Sequence, residues 1–305
     1  MDIDSLEYDR FIESDGEYDY VLNLSALKHV RSEKDPFTLM RMIQTNVFNT
    51  EKTINQSILN KTKKYFCVST DKASNPVNMM GASKKMMEII AMKKSLEISI
   101  SSARFANVLF SDGSLVHGFL KRIEKRQPIV APIDIKRYFV TLEESGQLCL
   151  LSCIFGDNRD IFFPKFNQEN HLFAFNQLAI KFLKSNGYKA LKCKTEDEAR
   201  ELAFNRTNSK EWPCYFSSSE TTGEKSIEEF YTKSEKLDFD SFKSIGIIKN
   251  NLKPELEGRV ELFKNKIEDF KRKKNWSRKH LIEIFEDVVE NFKHIEKGKF
   301  LDEKM

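Results

Sequence analysis

The chain has 305 residues, 40% hydrophobic and 31% charged, with 50 Lys and Arg against 46 Asp and Glu for a net charge of +4. That balance is too mild to argue for nucleic acid, and a mean hydropathy of −0.50, with Leu148–Phe155 as the longest apolar stretch, leaves no segment able to span a bilayer. Five cysteines without a C-x-x-C spacing point to reduced thiols rather than zinc, and the acidic start (Asp2, Asp4, Glu7, Asp9, Glu13) is unlike a secretion signal, so a cytoplasmic location is expected.

Tyr18–Leu24 is β-rich and predicts a strand. From Asp35 to Leu59 apolar residues recur at helical spacing (Leu39, Met42, Ile43, Val47, Ile54, Ile58) and predict a helix. Lys64–Ser69 predicts a second strand, Met79–Lys94 a second helix and Glu97–Phe105 a third strand. This alternation argues for an α/β fold, a parallel sheet with crossover helices. Gly113-Ser114 opens a helix running to Lys125, and Leu142–Phe155 is another. Past Asn167 lysine and glutamate become dense, with breaks at Trp212-Pro213 and Ser217–Gly223. Two surface helices are expected from Pro254 onward, parted near Asn275. Lys271–Lys274 follows Glu268 and Asp269 and is expected to be a solvated helix end rather than a nucleic-acid patch. The expected domains are 1–165 and 166–305.

In open parallel sheets, ligands bind beyond the carboxyl ends of the strands. There this sequence places Ser25–His29, then Ser69–Asn78, then Asn107 and Ser111–Ser114. Asp71-Lys72, an acid beside an amine at the end of an apolar strand, suits paired proton transfers in a partly dry site; taken alone, such a dipeptide more often marks a solvated turn. Pro76 holds off the next helix until Met79. The 11 glycines are spaced too widely for G-x-G-x-x-G or a Walker loop.

The run from Ser69 to Lys84 resembles the signature of the CapD-like nucleotide-sugar 4,6-dehydratases, extended short-chain dehydrogenases of bacterial surface-polysaccharide and glycan biosynthesis. Ser25–Val30, Thr45-Asn46, Arg104–Val108 and Arg137–Thr141 are similar to the family's other blocks, in order and at matching spacing, so the resemblance covers residues 1–165. Trp212–Phe216 and Thr221–Lys225 resemble the branch acting on UDP- or GDP-N-acetylglucosamine for legionaminic-type sugars.

The resemblance implies NAD or NADP as cofactor, a nucleotide sugar as substrate, and three steps: oxidation at C4, elimination of water across C5 and C6, and return of the hydride to C6. It makes Lys72, neutral when it acts, the base for the C5 proton and Asp71 the acid for the departing C6 hydroxyl, with Thr70 near C4. Most short-chain dehydrogenases carry Tyr-x-x-x-Lys on the next helix; here the pair is Met80-x-x-x-Lys84, and a thioether carries no proton. The C4 base is then expected at Asp71, relayed through Thr70, while Lys84 keeps the nicotinamide ribose; Met80 also suits plain packing. Asn46 matches the asparagine that positions the catalytic lysine through water. Lys28, Asn107, Ser114 and Arg137 become substrate contacts, Arg137 because paired donors suit a diphosphate. Asp2 matches an acidic position near the adenine, and no metal is implied. The helices at 35–59 and 79–94 correspond to the family's dimer bundle, so at least a homodimer is expected. The implied fold is a partial Rossmann-like parallel sheet with a mostly helical C-terminal region. The family opens with strand, glycine-rich turn and helix; Met1 falls roughly 60 residues further on, at about 30 per βαβ unit. The cofactor loop is therefore expected upstream of this chain. The alternative is a non-catalytic remnant that keeps only the dimerisation and substrate-side parts.

Overall fold

A computed structural model describes residues 1–166, 171–205, 210–251 and 256–298, with Leu256 and Glu257 as backbone only. Asn167 and Pro254, used above as boundaries, lie outside the described residues. The chain forms two compact units, and they do not part at 165. The first takes Met1–Phe105, Gly146–Lys165 and Glu229–Glu296; the second takes Ala106–Ser145, Phe166–Glu228 and the chain from Lys297.

The first unit is built on a six-stranded sheet of β1 (Tyr20–Asn23), β2 (Lys64–Thr70), β3 (Ser99–Phe105), β7 (Asp160–Pro164), β11 (Lys236–Asp238) and β12 (Ile245–Lys249), in the order β1-β2-β3-β7-β12-β11. The first four are parallel, as expected from the alternation of strands and helices, and β12 and β11 add antiparallel. β2 carries Tyr65, Phe66 and Cys67 in succession, all buried, because helices cover both faces of a parallel sheet. On one face, Tyr65, Cys67 and Ile100 meet Ile54 and Met87 of the crossover helices. On the other, Phe66, Ala103 and Phe162 meet Leu148, Cys149 and Cys153. Among the described residues β1 pairs with β2 alone, and Tyr20 is 52% exposed at the sheet's edge.

The helix expected over 35–59 is resolved into α2 (Pro36–Ile43), a π-turn at Gln44–Phe48 and α3 (Asn49–Leu59). Asp35 caps α2, accepting the N–H groups of Phe37 and Thr38, with Pro36 at the first helical position. α4 (Met79–Lys94) has the predicted bounds and is capped by Asn78. α1 (Leu6–Asp15) was not anticipated: it has no buried residue, so its periodicity is weak, and Asp9 holds it to Lys52 and Gln56 of α3. The two helices near the C-terminus, α9 (Leu256–Lys273) and α10 (Arg278–Val288), are not merely surface helices, because each buries one face against α2 and α4.

In the second unit, β5 (Ile129–Pro132), β9 (Lys189–Cys193) and β10 (Glu211–Ser217) form a parallel sheet in the order β5-β10-β9, packed with α5 (Leu115–Glu124) and α7 (Phe175–Ser185). α8 (Glu196–Phe204) links β9 to β10, while β4 (Asn107–Val108), β6 (Lys136–Val140) and β8 (Leu172–Ala174) form a second small sheet. The break read at Trp212-Pro213 is instead part of strand β10. β5 begins pairing only at Cys214, so Pro213 has β9 as its one neighbour there and its missing N–H is tolerated. Trp212 is buried with its indole N–H on the Gln127 carbonyl at 3.0 Å. α6 (Leu142–Phe155) keeps its predicted bounds.

Candidate active site

Beyond the carboxyl end of β2 the chain makes a tight 3₁₀ turn, Asp71–Ala73, whose start is capped by the Thr70 hydroxyl. Thr70 Oγ1 donates to Asp71 Oδ1 at 2.9 Å, and Lys72 Nζ donates to the same oxygen at 3.0 Å. The side chains of Asp71 and Lys72 are 2% and 15% exposed, so the carboxylate is enclosed while the amine reaches the surface. The turn is held from below by Gly81 of α4. A Cβ at that residue would lie 2.5 Å from the Lys72 carbonyl oxygen, which only glycine avoids. From the side it is held by the Glu229 segment. Ser74 Oγ donates to the Glu229 carbonyl at 2.5 Å and Asn75 Nδ2 to its carboxylate at 2.7 Å.

Lys84 lies on α4 below the same turn. It is 3% exposed, its amine donates to the Val68 carbonyl at 2.9 Å, and burial draws its pKa down to about 8. Met80, one helical turn earlier, is 4% exposed and packs in the helix cluster with Met79 and Met86, which is the packing role open to it from sequence. Asn46 sits in the π-turn, fully buried. Its Oδ1 accepts from Leu27 N at 2.8 Å, and its Nδ2 donates to the Leu27 carbonyl and to Ser83 Oγ. These bonds tie the segment before Lys28 to α4, and Lys28 itself is exposed.

The remaining candidates make other contacts. Asp2 is exposed and accepts the Asp4 N–H ahead of α1. Asn107, Ser114 and Arg137 belong to the second unit. Ser114 caps α5 through His117 N–H. Arg137 is 4% exposed: its NH1 donates to the carbonyls of Lys136 and Ser226, and its NH2 lies 3.6 Å from Glu228 and 3.9 Å from Glu224. Burial, more than the Ser219 and Arg137 contacts offset, raises the Glu224 carboxyl above its usual range.

Sequence reasoning missed a buried ion network that abuts the turn. Arg104, fully buried on β3, is bidentate to Glu88 of α4 (2.8 and 2.8 Å) and to Glu235 (3.0 and 2.8 Å). Ser69, the residue before Thr70, donates to Glu88 at 2.6 Å. Burial alone would raise the Glu88 carboxyl, but Arg104, Lys85 and Ser69 outweigh it and hold it at about 2. The signal was present: an arginine inside the buried run Ser99–Phe105 requires acid partners.

A dinucleotide, which the resemblance implies, needs a helix N-terminus with free N–H groups for its pyrophosphate. The helices that follow β1 and β2 have theirs taken. Asp35 accepts from Phe37 and Thr38 at 2.9 and 3.0 Å; Glu33 accepts Met79 N–H at 2.7 Å, and Asn78 that of Gly81 at 2.8 Å. These two sites do not fit a pyrophosphate. Among the described residues no cluster of His, Cys, Asp and Glu has the makings of a metal site, and no helix is long and apolar enough to cross a membrane.

A family model described as polysaccharide biosynthesis protein matches residues 3–250. An uncharacterized membrane protein of Methanocaldococcus jannaschii is 33% identical over 169 residues, 53% of this chain and 50% of that protein. A UDP-glucose 4-epimerase of Rickettsia rickettsii is 35% identical over 152 residues, 48% of this chain and 44% of that one. The chain spans about half the length of these curated relatives. Among solved structures, Pen from Bacillus thuringiensis superposes with a TM-score of 0.67 at 26% identity, covering 83% of this chain and 71% of that one.

Proposed function

The chain belongs to the polysaccharide biosynthesis protein family, and from that premise we propose that it is a nucleotide-sugar 4,6-dehydratase acting on UDP- or GDP-N-acetylglucosamine. The observation that carries this reading is the Asp71–Lys72 pair, hydrogen bonded at 3.0 Å at the mouth of a parallel sheet. Moving the shared proton from amine to carboxylate turns the ion pair into a neutral amine and a carboxylic acid without changing the net charge. Those are the two species an elimination needs. In a sugar already bearing a C4 ketone, the amine of Lys72 removes the acidified C5 proton, and the C5–H electrons form the C5–C6 double bond. Asp71 delivers its proton to the C6 hydroxyl, which leaves as water. Thr70, held against Asp71 at 2.9 Å, fixes which carboxylate oxygen faces Lys72 and leaves the other for the sugar.

This half of the reaction rests on the chain's own residues. The Rickettsia relative is named a 4-epimerase, a reaction that needs no acid and base across C5 and C6; the juxtaposed acid and amine favour elimination here. The test is the product formed from UDP- or GDP-N-acetylglucosamine by the protein in the presence of NAD(P)⁺. A 4-keto sugar nucleotide lighter by one water is expected, with kcat falling about 10²–10⁴-fold in Lys72→Ala. An isomer of unchanged mass would overturn the reading in favour of epimerisation.

A further inference from the structure

Four helices of the first unit share one apolar interior. Leu39 of α2, Met86 of α4, Phe263 and Ile267 of α9, and Leu281 and Phe285 of α10 are all 0% exposed within it. Its rim is closed by polar groups matched in charge and reach. Lys93 of α4 meets Glu261 of α9 at 2.9 Å, and Lys264 of α9 meets Glu51 of α3 at 3.0 Å. Trp276 donates its indole N–H to the Pro36 carbonyl at 3.0 Å, and Arg278 Nε donates to the Glu33 carbonyl at 2.7 Å. The chain beyond α10 continues the wrap, with Ile295 N–H on the Val77 carbonyl at 3.0 Å and His294 Nε2 3.2 Å from Glu33.

We infer that α9 and α10 are the resident partner of the α2–α4 face: one chain closes this four-helix bundle on itself, and the face is not offered to a second copy. A residue with no exposed surface has none left for another subunit, and opening the bundle would return this apolar area to water. The chain therefore departs here from the dimer bundle that the resemblance implies; self-association through any other face is untouched by this inference.

The test uses the full chain. Natural and heavy-isotope-labelled protein are refolded together and treated with a carbodiimide, which joins a carboxylate to an amine it touches, and the linked peptides are read by mass spectrometry. Lys93–Glu261 and Lys264–Glu51 links are expected within single-isotope chains. Links carrying both isotopes, or neither link at all, would overturn the inference. Phe263→Glu places a charge inside the bundle; loss of both links and a shift to larger assemblies are expected, and intact links with unchanged mass would contradict the account. Should that variant fail to fold, Lys264→Glu at the half-buried rim is expected to keep the fold and the Lys93–Glu261 link, with a small fall in Tm. An unchanged Tm would count against the packing described.

Discussion

Arg104 in the first unit and Arg137 in the second each face two glutamates, yet their forks are spent differently. Arg104 makes two bidentate pairs at 2.8–3.0 Å and a further bond to the Phe230 carbonyl, so every direction in which a guanidinium donates is taken. Arg137 gives NH1 to two carbonyls and holds its carboxylates no closer than 3.6 Å. The first is a finished structural joint between β3, α4 and the segment reaching Glu235. The second is a buried cation whose two acid partners stand at ion-pair distance without a hydrogen bond. Burial of an arginine therefore does not by itself say how its fork is used; Arg104 has no donor to spare, whereas the proposal of Arg137 as a diphosphate contact starts from a fork that is less fully used.

The comparison can be broken most sharply at Arg104. Arg104→Met strands Glu88 and Glu235 as buried carboxylates, and a loss of about 3–5 kcal/mol in denaturant unfolding is expected; a loss below about 1 kcal/mol would mean that the joint is not structural. Next in size is the acid limb of stability. Glu88 is held at about 2 against an ordinary 4.5. Its folded pKa is depressed, so the stabilisation is complete above 4.5 and is lost as pH falls from there toward 2. At about 1.4 kcal/mol per unit this amounts to roughly 3 kcal/mol, and Glu88→Gln should flatten that limb of the pH–stability curve. Arg137 sharpens the contrast from the other side. Arg137→Lys should weaken UDP-N-acetylglucosamine binding about 10-fold by calorimetry, since a point charge replaces paired donors, while changing Tm far less than Arg104→Met does. Equal affinity in wild type and variant would make Arg137 a second joint.

The parallel half of the fold was legible because each of its elements carries its own period: β2, α4 and α6 fall within a residue of where the hydrophobic pattern puts them. The short strands of the second unit were not, because Lys189–Cys193 reads Lys-Ala-Leu-Lys-Cys, too short and without a period-two alternation, and Pro213 reads as a break. α1 buries nothing and so leaves no stripe to read. In the site, Thr70, Asp71 and Lys72 were legible as consecutive residues at a strand end. The contacts that hold their turn were not: Gly81, nine residues on from Lys72, acts by close approach, and Glu229 by a hydrogen bond across 154 positions to Asn75, and no hydrophobic period announces such pairings. The reach of Asn46 to the Leu27 backbone was equally invisible, since it depends on a π-turn that throws its side chain inward.

The acid–amine pair is tested most directly without any oxidation step. A 4-keto-6-deoxy sugar nucleotide incubated with the chain in deuterium oxide presents Lys72 with an already acidified C5 hydrogen, read at C5 by the position of the label. Enzyme-dependent exchange of that hydrogen for deuterium is predicted, falling about 100-fold or more in Lys72→Ala. Exchange at the same rate in wild type and Lys72→Ala, or none above buffer in either, would contradict the assignment of Lys72 as the base.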